Sequence, residues 1–444
     1  MLNMLDYFYK HTVFKWFFES LWRDEAFSVL LAKKNVGEIF YLSAKDFTPP
    51  LYYLVLKFWM IFFGDSELAV RSLSFILYLA CIYMFFLILE ALKLKGRILY
   101  ILTFIFASFP SILYYAFEAR PYIMLVLLSL IFYYSILVYD RRLNLISGFL
   151  GIFTHYFFVF NIISQYLFCR FVDKGKKHRP FLNNVFFLLV LFSPWLFFLI
   201  YIKSYIFHSD FWVQPLTPYE YFESFFWVLT GYIKGWEPKF GLTSITSLIL
   251  NVFLAWAIFD LFKNYKKDKR KFVEKDGLLF FCWALIPVVF ALSISVFKPS
   301  FVPRYLIFTV PGLFLFLINR YQSKSKLFYS LLVFLLVLNM LFLNHLINKR
   351  KKYNWAFKLG MIKIYAQNKK AIYLKDYKDY PVFIYYMPEF KNRIYLVSQS
   401  KDSLPAYIGK VIYPEDKYRV SLPITTEPIL VFYDNGRFVL ESIH

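Results

Sequence analysis

Residues Ser72–Leu89 read SLSFILYLACIYMFFLIL, eighteen residues without a charge between Arg71 and Glu90. A helix needs about 20 mostly apolar residues to cross the hydrocarbon core of a bilayer. Uncharged stretches of this kind recur along the chain at 98–117, 121–139, 143–169, 180–202, 240–259, 277–297, 305–319 and 327–344. We therefore predict an α-helical multi-pass membrane protein.

The composition of the whole chain supports this class. Of its 444 residues 59% are hydrophobic, 23% are aromatic and only 18% are charged, which excludes a disordered chain, collagen and a coiled coil. Its 51 Lys and Arg exceed its 29 Asp and Glu, so the formal net charge is +22. The basic residues lie between apolar runs, which is typical of cytoplasmic loops and argues against nucleic-acid binding.

The three cysteines, Cys81, Cys169 and Cys282, lie inside or against the apolar runs. They form no CxxC pair, so neither a disulfide framework nor a cysteine metal site is expected.

The run 143–169 is long for one span and has basic residues at both ends. A single helix would place one of these basic groups on the outer side. Two short helices that turn near His155 keep both ends on the cytoplasmic side, and we predict this arrangement.

With this helix pair the basic connections fall on one face. The connections 92–97, 140–142, 170–179, 263–276 and 320–326 together carry 20 Lys and Arg, and we assign them to the cytoplasm. The opposite face receives the longer and chemically more varied segments. An active site is therefore expected on the extracytoplasmic face of the cell (inner) membrane.

The sequence predicts three regions. Residues 1–70 form an outer interfacial segment, in which Pro49 and Pro50 precede a helix that lies in the membrane surface. Residues 71–347 form the transmembrane domain, with about eight full spans and the short helix pair. Residues 348–444 contain strand-like segments at 371–374, 394–397 and 429–433, which predict a small extracytoplasmic α/β domain.

Short polar motifs mark the membrane boundaries. They are LWRDEAFS at 21–28, DFTPPLYY at 46–53, RSLS at 71–74, EARPY at 118–122, THY at 154–156 and PRY at 303–305. In this order the motifs resemble the GT-C superfamily of glycosyltransferases, and in particular the bacterial branch similar to dolichyl-phosphate-mannose protein mannosyltransferases and the lipid A aminoarabinose transferase. The resemblance implies the GT-C fold and transfer of a hexosyl or pentosyl group from a polyprenyl-phosphate sugar to an extracytoplasmic hydroxyl acceptor.

The sequence departs from the family pattern at two places. Position 48 is Thr where the mannosyltransferases usually have His, so no role of that His can be carried over. Family members also have a transmembrane helix before the acidic loop. Here Met1–Ser20 precede it and contain Asp6, Lys10, Lys15 and Glu19, so either this helix is missing or the chain begins further upstream.

Such a transfer requires a base for the acceptor hydroxyl. Asp24 is our candidate for the base, with Glu25 or Asp46 orienting it or shaping the acceptor site. The acids could instead hold a divalent metal, Mg²⁺ or Mn²⁺. In the alternative interpretation Asp24 caps a helix that begins at Glu25, and Asp46 is a turn residue before the two prolines.

The leaving lipid phosphate requires fixed cations on the outer face. Arg120 and Arg304 are placed there, and a guanidinium group can bind two phosphate oxygens at once. Lys298 and His155 are further candidates for this phosphate. Alternatively, the arginines extend toward the lipid headgroups and His155 is structural.

The motifs also contain tyrosines. Tyr52, Tyr122 and Tyr305 are predicted to line the substrate, and the alternative is an interfacial aromatic belt. The expected partners are the polyprenyl-phosphate sugar, membrane lipids and an acceptor that is a glycolipid, a polysaccharide or a protein. Rival functions are a lipid-linked sugar transporter or flippase, and a non-catalytic assembly component. The first is disfavoured because the apolar runs contain few ionisable residues.

Overall fold

The structure is a computed structural model of the 444-residue chain, and it describes residues 11–46, 48–172, 179–202, 213–231, 242–267, 275–349, 354–366, 371–404, 409–432 and 438–443. Helices dominate these residues. In chain order they are α1 Arg23–Ala32, α2 Val36–Asp46, α3 Leu51–Phe63, α4 Glu67–Ala91, α5 Arg97–Ala107, α6 Pro110–Tyr115, α7 Tyr122–Leu137, α8 Arg141–Thr154, α9 Val159–Val172, α10 Arg179–Ile202, α11 Pro218–Thr230, α12 Leu242–Lys267, α13 Lys275–Phe297, α14 Val310–Tyr321, α15 Ser325–Lys349, α16 Trp355–Ala366 and α17 Tyr380–Tyr386.

Five helices of the described residues are long and apolar enough to span a membrane. The candidate spans are Glu67–Ala91, Pro180–Ile202, Leu242–Lys263, Asp276–Phe297 and Ser325–Asn348. Together with the apolar composition they identify a membrane protein, and the predicted helical multi-pass class is confirmed.

The other predicted full spans are shorter helices in the structure. The run 98–117 is divided into α5 and α6, because Pro110 starts a new helix where it cannot continue the old one. The run 305–319 is divided between a 3₁₀ helix, Pro303–Thr309, and α14. The sequence predicts about eight full spans, whereas the described residues contain five helices that are long enough to cross a membrane.

The run 143–169 forms two short helices, as predicted. Helix α8 ends at Thr154, and His155 has an extended backbone that turns the chain into Tyr156–Phe158 and then α9. Buried amides join the pair to α10, since Asn144 Nδ2 donates to Gln165 Oε1 at 2.8 Å and Asn184 Nδ2 donates to Asn144 Oδ1 at 3.0 Å. These hydrogen bonds hold α8, α9 and α10 together at the end of the pair away from His155.

The tail forms a five-stranded sheet, which confirms the predicted α/β domain. Its strands are β1 Ile372–Leu374, β2 Ile394–Val397, β3 Tyr418–Arg419, β4 Thr425–Phe432 and β5 Phe438–Ile443. The order is β3-β2-β1-β4-β5, and only β5 is antiparallel to its neighbour. Helices α16 and α17 cover one face, where Trp355, Phe383 and Phe432 pack with ring centroids 4.9–6.3 Å apart.

The chain divides into two compact units. The helical unit comprises Met1–Val13, Ser72–Phe197 and Val213–Arg350, and the mixed unit comprises Phe14–Arg71, Phe198–Trp212 and Lys351–His444. From the sequence, residues 1–70 and residues 348–444 are expected to form two separate regions, whereas the mixed unit contains most of both. Contacts distant in sequence explain this grouping, for example the Tyr386 hydroxyl, which accepts from Leu21 N and donates to Glu67 Oε1, both at 2.8 Å.

Candidate active site

In the helical unit, Arg120 lies in the tight turn between α6 and α7. The backbone N–H of Arg120 donates to the carbonyl of Glu118 at 2.8 Å, and the Ser74 hydroxyl donates to the same carbonyl at 2.5 Å. Glu118 is completely buried. These contacts fix the backbone from which the half-buried Arg120 side chain projects.

Arg304 is positioned by a second turn. Pro303 begins a 3₁₀ helix, and the N–H of Tyr305 donates to the carbonyl of Val302 at 2.9 Å. Each arginine lies over the tyrosine that follows it in its motif. The Arg120 Cζ is 5.7 Å from the ring centroid of Tyr122, and the Arg304 Cζ is 5.6 Å from that of Tyr305, which are cation–π distances.

His155 joins the two arginine motifs. Its ring centroid is 5.0 Å from that of Tyr305 and 6.2 Å from that of Tyr122, and the two tyrosine rings are stacked at 6.2 Å. We call Arg120, Tyr122, His155, Arg304 and Tyr305 the cationic cluster. Three motifs that are far apart in the sequence thus meet in one place.

The electrostatics of the cluster favour a neutral imidazole. Burial, followed by the positive charges of Arg120 and Arg304, lowers the pKa of His155 well below its usual value of 6.5. His155 lies at the turn between α8 and α9, outside the five candidate spans. Its Nδ1 accepts from the N–H of Phe157 at 3.2 Å, so the neutral ring carries its proton on Nε2 and can donate it.

Of the four residues predicted to bind the donor phosphate, Lys298 is the one that does not belong to the cationic cluster. It is exposed just after the end of α13, where its backbone N–H donates to Ile294. The roles of the predicted phosphate-binding residues remain predictions.

In the mixed unit, Asp24 lies in the first turn of α1. The helix begins at Arg23 with Trp22 as N-cap, so Asp24 is inside the helix, and the alternative that it caps a helix beginning at Glu25 is wrong. The Asp24 side chain is half-buried, and its carbonyl accepts from the Ser28 hydroxyl at 2.9 Å. A carboxylate in the first turn is favoured by the helix dipole.

Glu25 has a different environment from Asp24. Its carboxylate accepts two hydrogen bonds from Arg71, from Nε at 2.8 Å and from Nη2 at 2.7 Å, and both side chains are completely buried. Arg71 also donates to four carbonyl groups, those of Trp16, Phe17, Glu19 and Ser20. The ion pair of Glu25 with Arg71 therefore holds the start of α1 in place. The catalytic role predicted for Glu25 stays a prediction.

Sequence reasoning missed Arg71 and Arg23 as functional candidates. Arg71 precedes the first apolar run, and its RSLS motif was the available signal. Arg23 pairs with two acids of the tail, through Nε to Asp379 and through Nη2 to Asp376, both at 2.5 Å. No local pattern could reveal a partner more than 350 residues away. Asp24 thus lies between two residues, Arg23 and Glu25, that are both held by ion pairs.

The remaining predicted residues of the mixed unit are Asp46 and Tyr52. Asp46 is the half-buried last residue of α2, rather than a residue of the turn that follows. Tyr52 is completely buried, with its ring centroid 5.8 Å from that of Tyr53. Its contacts are those of a core residue of α3, and the predicted substrate-lining role is untested.

A divalent metal would require several acidic or imidazole ligands close together. Among the residues that the structure describes, no group of three or more His, Cys, Asp and Glu side chains is arranged to hold a metal. The predicted acids Asp24, Glu25 and Asp46 do not form such a group among these residues.

Comparison with known proteins rests on structure. No protein-family model matches the sequence, and no curated protein matches it significantly. ArnT from Cupriavidus metallidurans in the apo state superimposes with a TM-score of 0.60 at 12% identity, over 98% of this chain and 92% of that chain. ArnT bound to undecaprenyl phosphate superimposes with a TM-score of 0.56 at 13% identity, over 93% and 87%.

The chain has the fold of ArnT. ArnT is the lipid A aminoarabinose transferase, a GT-C glycosyltransferase, so the GT-C resemblance inferred from the motifs is confirmed at the level of fold. At 12–13% identity the likeness to ArnT establishes the fold alone.

Proposed function

We propose that the protein is a membrane glycosyltransferase that takes a hexosyl or pentosyl group from a polyprenyl-phosphate donor. The acceptor is a hydroxyl group of a glycolipid, polysaccharide or protein on the extracytoplasmic face of the inner membrane. The observation that carries the proposal is the cationic cluster. The ArnT fold supports it, since one ArnT structure contains undecaprenyl phosphate.

The cluster suits a lipid phosphate for electrostatic reasons. Two guanidinium groups act on one imidazole, so positive potential is concentrated where the Nε2–H of His155 can donate. Negative charge grows on the phosphate oxygen as the glycosidic bond breaks, and cations fixed in advance stabilise this charge without reorganising. The stacked Tyr122 and Tyr305 rings hold the arginines and the imidazole in a fixed arrangement.

In the proposed reaction the acceptor oxygen forms a bond to the anomeric carbon while the bond from that carbon to the phosphate oxygen breaks. Asp24 takes the acceptor proton, and polyprenyl phosphate leaves with the bonding electron pair. Attack from the side opposite the leaving group inverts the anomeric configuration. Base catalysis by a well-placed carboxylate contributes about 10²–10⁴-fold to such rates.

The test uses membranes that contain the full chain and a labelled polyprenyl-phosphate sugar. Asp24→Asn should lower transfer at least about 100-fold and leave donor binding unchanged, because the amide cannot accept the proton. Glu38→Gln is the matched control, since Glu38 is an exposed carboxylate of the same unit that forms hydrogen bonds within its own helix start.

Donor binding tests the cluster separately. Arg120→Ala and Arg304→Ala should each weaken donor binding about 10- to 100-fold, which is the usual cost of a lost hydrogen bond to a charged group. Arg142→Ala, which changes an exposed arginine at the start of α8, should have no effect.

Undiminished transfer by Asp24→Asn at normal expression would refute its role as base. Movement of the lipid-linked sugar without any product would instead favour a transporter.

A further inference from the structure

A cavity of about 420 Å³ lies in the helical unit at the face that the positive-inside rule assigns to the cytoplasm. One wall comes from the connection before α5 and the first turn of α5, and the other comes from the connection between α14 and α15 and the start of α15. Its lining residues are Leu94, Ile98, Gln322, Ser323, Ser325, Phe328 and Tyr329. The first wall is apolar, whereas the second has polar groups at 322–325 and aromatic rings at 328–329, and none of the lining residues is a candidate active-site residue.

The two segments that form the cavity are strongly basic. Residues 92–97 contain Lys93, Lys95 and Arg97, residues 320–326 contain Arg320, Lys324 and Lys326, and neither segment contains an acid. Arg320 and Lys324 are close to Asp260 of α12, at 3.9 and 3.1 Å. In the described part of the chain, no ion pair joins the exposed Lys93, Lys95, Arg97 or Lys326 to a carboxylate. The two segments that line the cavity thus carry four exposed cations, each next to or one residue away from a lining residue.

The lining of the cavity offers apolar contacts and polar contacts. Ile98 and Phe328 belong to helices apolar enough to face lipid, so these two side chains offer a surface for an acyl chain. Ser323, Ser325 and Gln322 provide hydroxyl and amide groups at the polar end, next to the cations. An anionic group with an attached hydrocarbon chain matches both walls, because basic pockets between spans attract anionic headgroups.

We propose that this cavity binds an anionic phospholipid of the cytoplasmic leaflet. The phosphate contacts the exposed cations and the serine hydroxyls, and an acyl chain lies along Leu94, Ile98 and Phe328. This lipid is distinct from the donor of the proposed reaction, and its site stands whether or not that reaction is correct.

Native mass spectrometry of the purified full-length protein tests the proposal. Phosphatidylglycerol is titrated against phosphatidylcholine, and inorganic phosphate is added in a separate arm. Phosphatidylglycerol should remain bound at the higher collision energies, phosphatidylcholine should not, and inorganic phosphate should neither bind nor displace the lipid. Lys95→Gln/Arg97→Gln should weaken phosphatidylglycerol binding about tenfold, since each cation near a membrane surface contributes to this attraction.

Two further variants make the result specific. Arg141→Gln/Arg142→Gln removes two exposed basic residues from the start of α8, which the positive-inside rule assigns to the same face, and should bind phosphatidylglycerol like the parent. Ser325→Trp fills the cavity without changing the charge and should also weaken binding. Equal loss in the Arg141/Arg142 control, equal binding of phosphatidylcholine, or displacement by inorganic phosphate would each overturn the proposal.

Discussion

At the residue scale, the ion pair of Arg71 and Glu25 has a clear energetic consequence. When the buried Arg71 guanidinium is removed, one carboxylate and four carbonyl groups each lose a hydrogen bond. Breaking one side of a buried ion pair costs about 3–5 kcal/mol, whereas replacing both partners by apolar residues costs less. The main role of the pair is therefore to position the start of α1. Its net contribution to stability, compared with two apolar residues at these positions, is small.

We expect Arg71→Met to lower the free energy of unfolding by about 3–5 kcal/mol. Arg71→Lys should rescue little of it, because an ammonium group lacks the planar fork of donors. Thermal unfolding in detergent measures the effect, with the exposed Arg393→Met of the same unit as control. Equal melting temperatures for Arg71→Met and Arg393→Met would contradict this prediction.

His155 should make stability depend on pH. Burial and the two arginines lower its pKa in the folded state, so between that value and about 6.5 the unfolded chain binds more protons. Stability should therefore fall as the pH drops below about 6.5, by at most about 1.4 kcal/mol per pH unit from this residue. Melting curves between pH 5 and 8 should show a shallower slope for His155→Gln, and an unchanged slope would count against the argument.

At the element scale, the helix pair α8–α9 depends on a close approach. A Cβ added at Gly151 would overlap the ring of Phe158, which packs across the turn. Only a residue without a side chain allows Phe158 to fold back on α8. The turn that positions His155 thus requires a glycine within the helix, although glycine is a poor helix former.

Gly151→Ala should destabilise the protein by roughly 1–3 kcal/mol, as overpacking usually does. Gly360→Ala is the matched control in another helix, because nothing lies within 4 Å of the added Cβ and the alanine should be neutral or slightly stabilising. The double variant Gly151→Ala/Phe158→Leu should recover part of the loss. A single variant as stable as the parent would show that the turn tolerates a side chain.

At the scale of the whole molecule, the mixed unit joins the first acidic loop to the C-terminal sheet domain. Asp376 and Asp379 of the tail bind Arg23, and Ala356 N donates to the Ser20 hydroxyl at 3.0 Å. Residues 20–23 and residues 356–379 are thereby held together at the start of α1. In the proposed function, the tail acts on Asp24 through Arg23, which makes Arg23 a positioning residue.

Arg23→Gln should lower kcat for sugar transfer and leave KM for the donor unchanged, with a melting temperature close to that of the parent. Arg23→Lys should recover part of kcat, which a purely structural role would not predict. Lys33→Gln serves as control, because Lys33 forms its exposed pair with Asp65 in the same unit. A parallel loss of kcat in both variants would argue against positioning through Arg23.

The sequence by itself determined the membrane class, the apolar helices, the turn at His155 and the mixed tail. These features depend on run length, local charge and turn residues, which neighbouring positions fix without help from the rest of the chain. Pro110 begins α6 inside one predicted span, and Pro311 lies in the first turn of α14 inside another, so both divisions have a local cause that a count of apolar residues does not show.

Only the tertiary structure decided which polar groups meet. It brought Arg120, His155 and Arg304 around two tyrosines, buried Glu25 against Arg71, and joined Arg23 to acids of the tail. Each of these contacts links residues separated by 30 to more than 350 positions. Local propensity cannot specify such pairs, because the free energy that selects them comes from packing and burial in the folded chain.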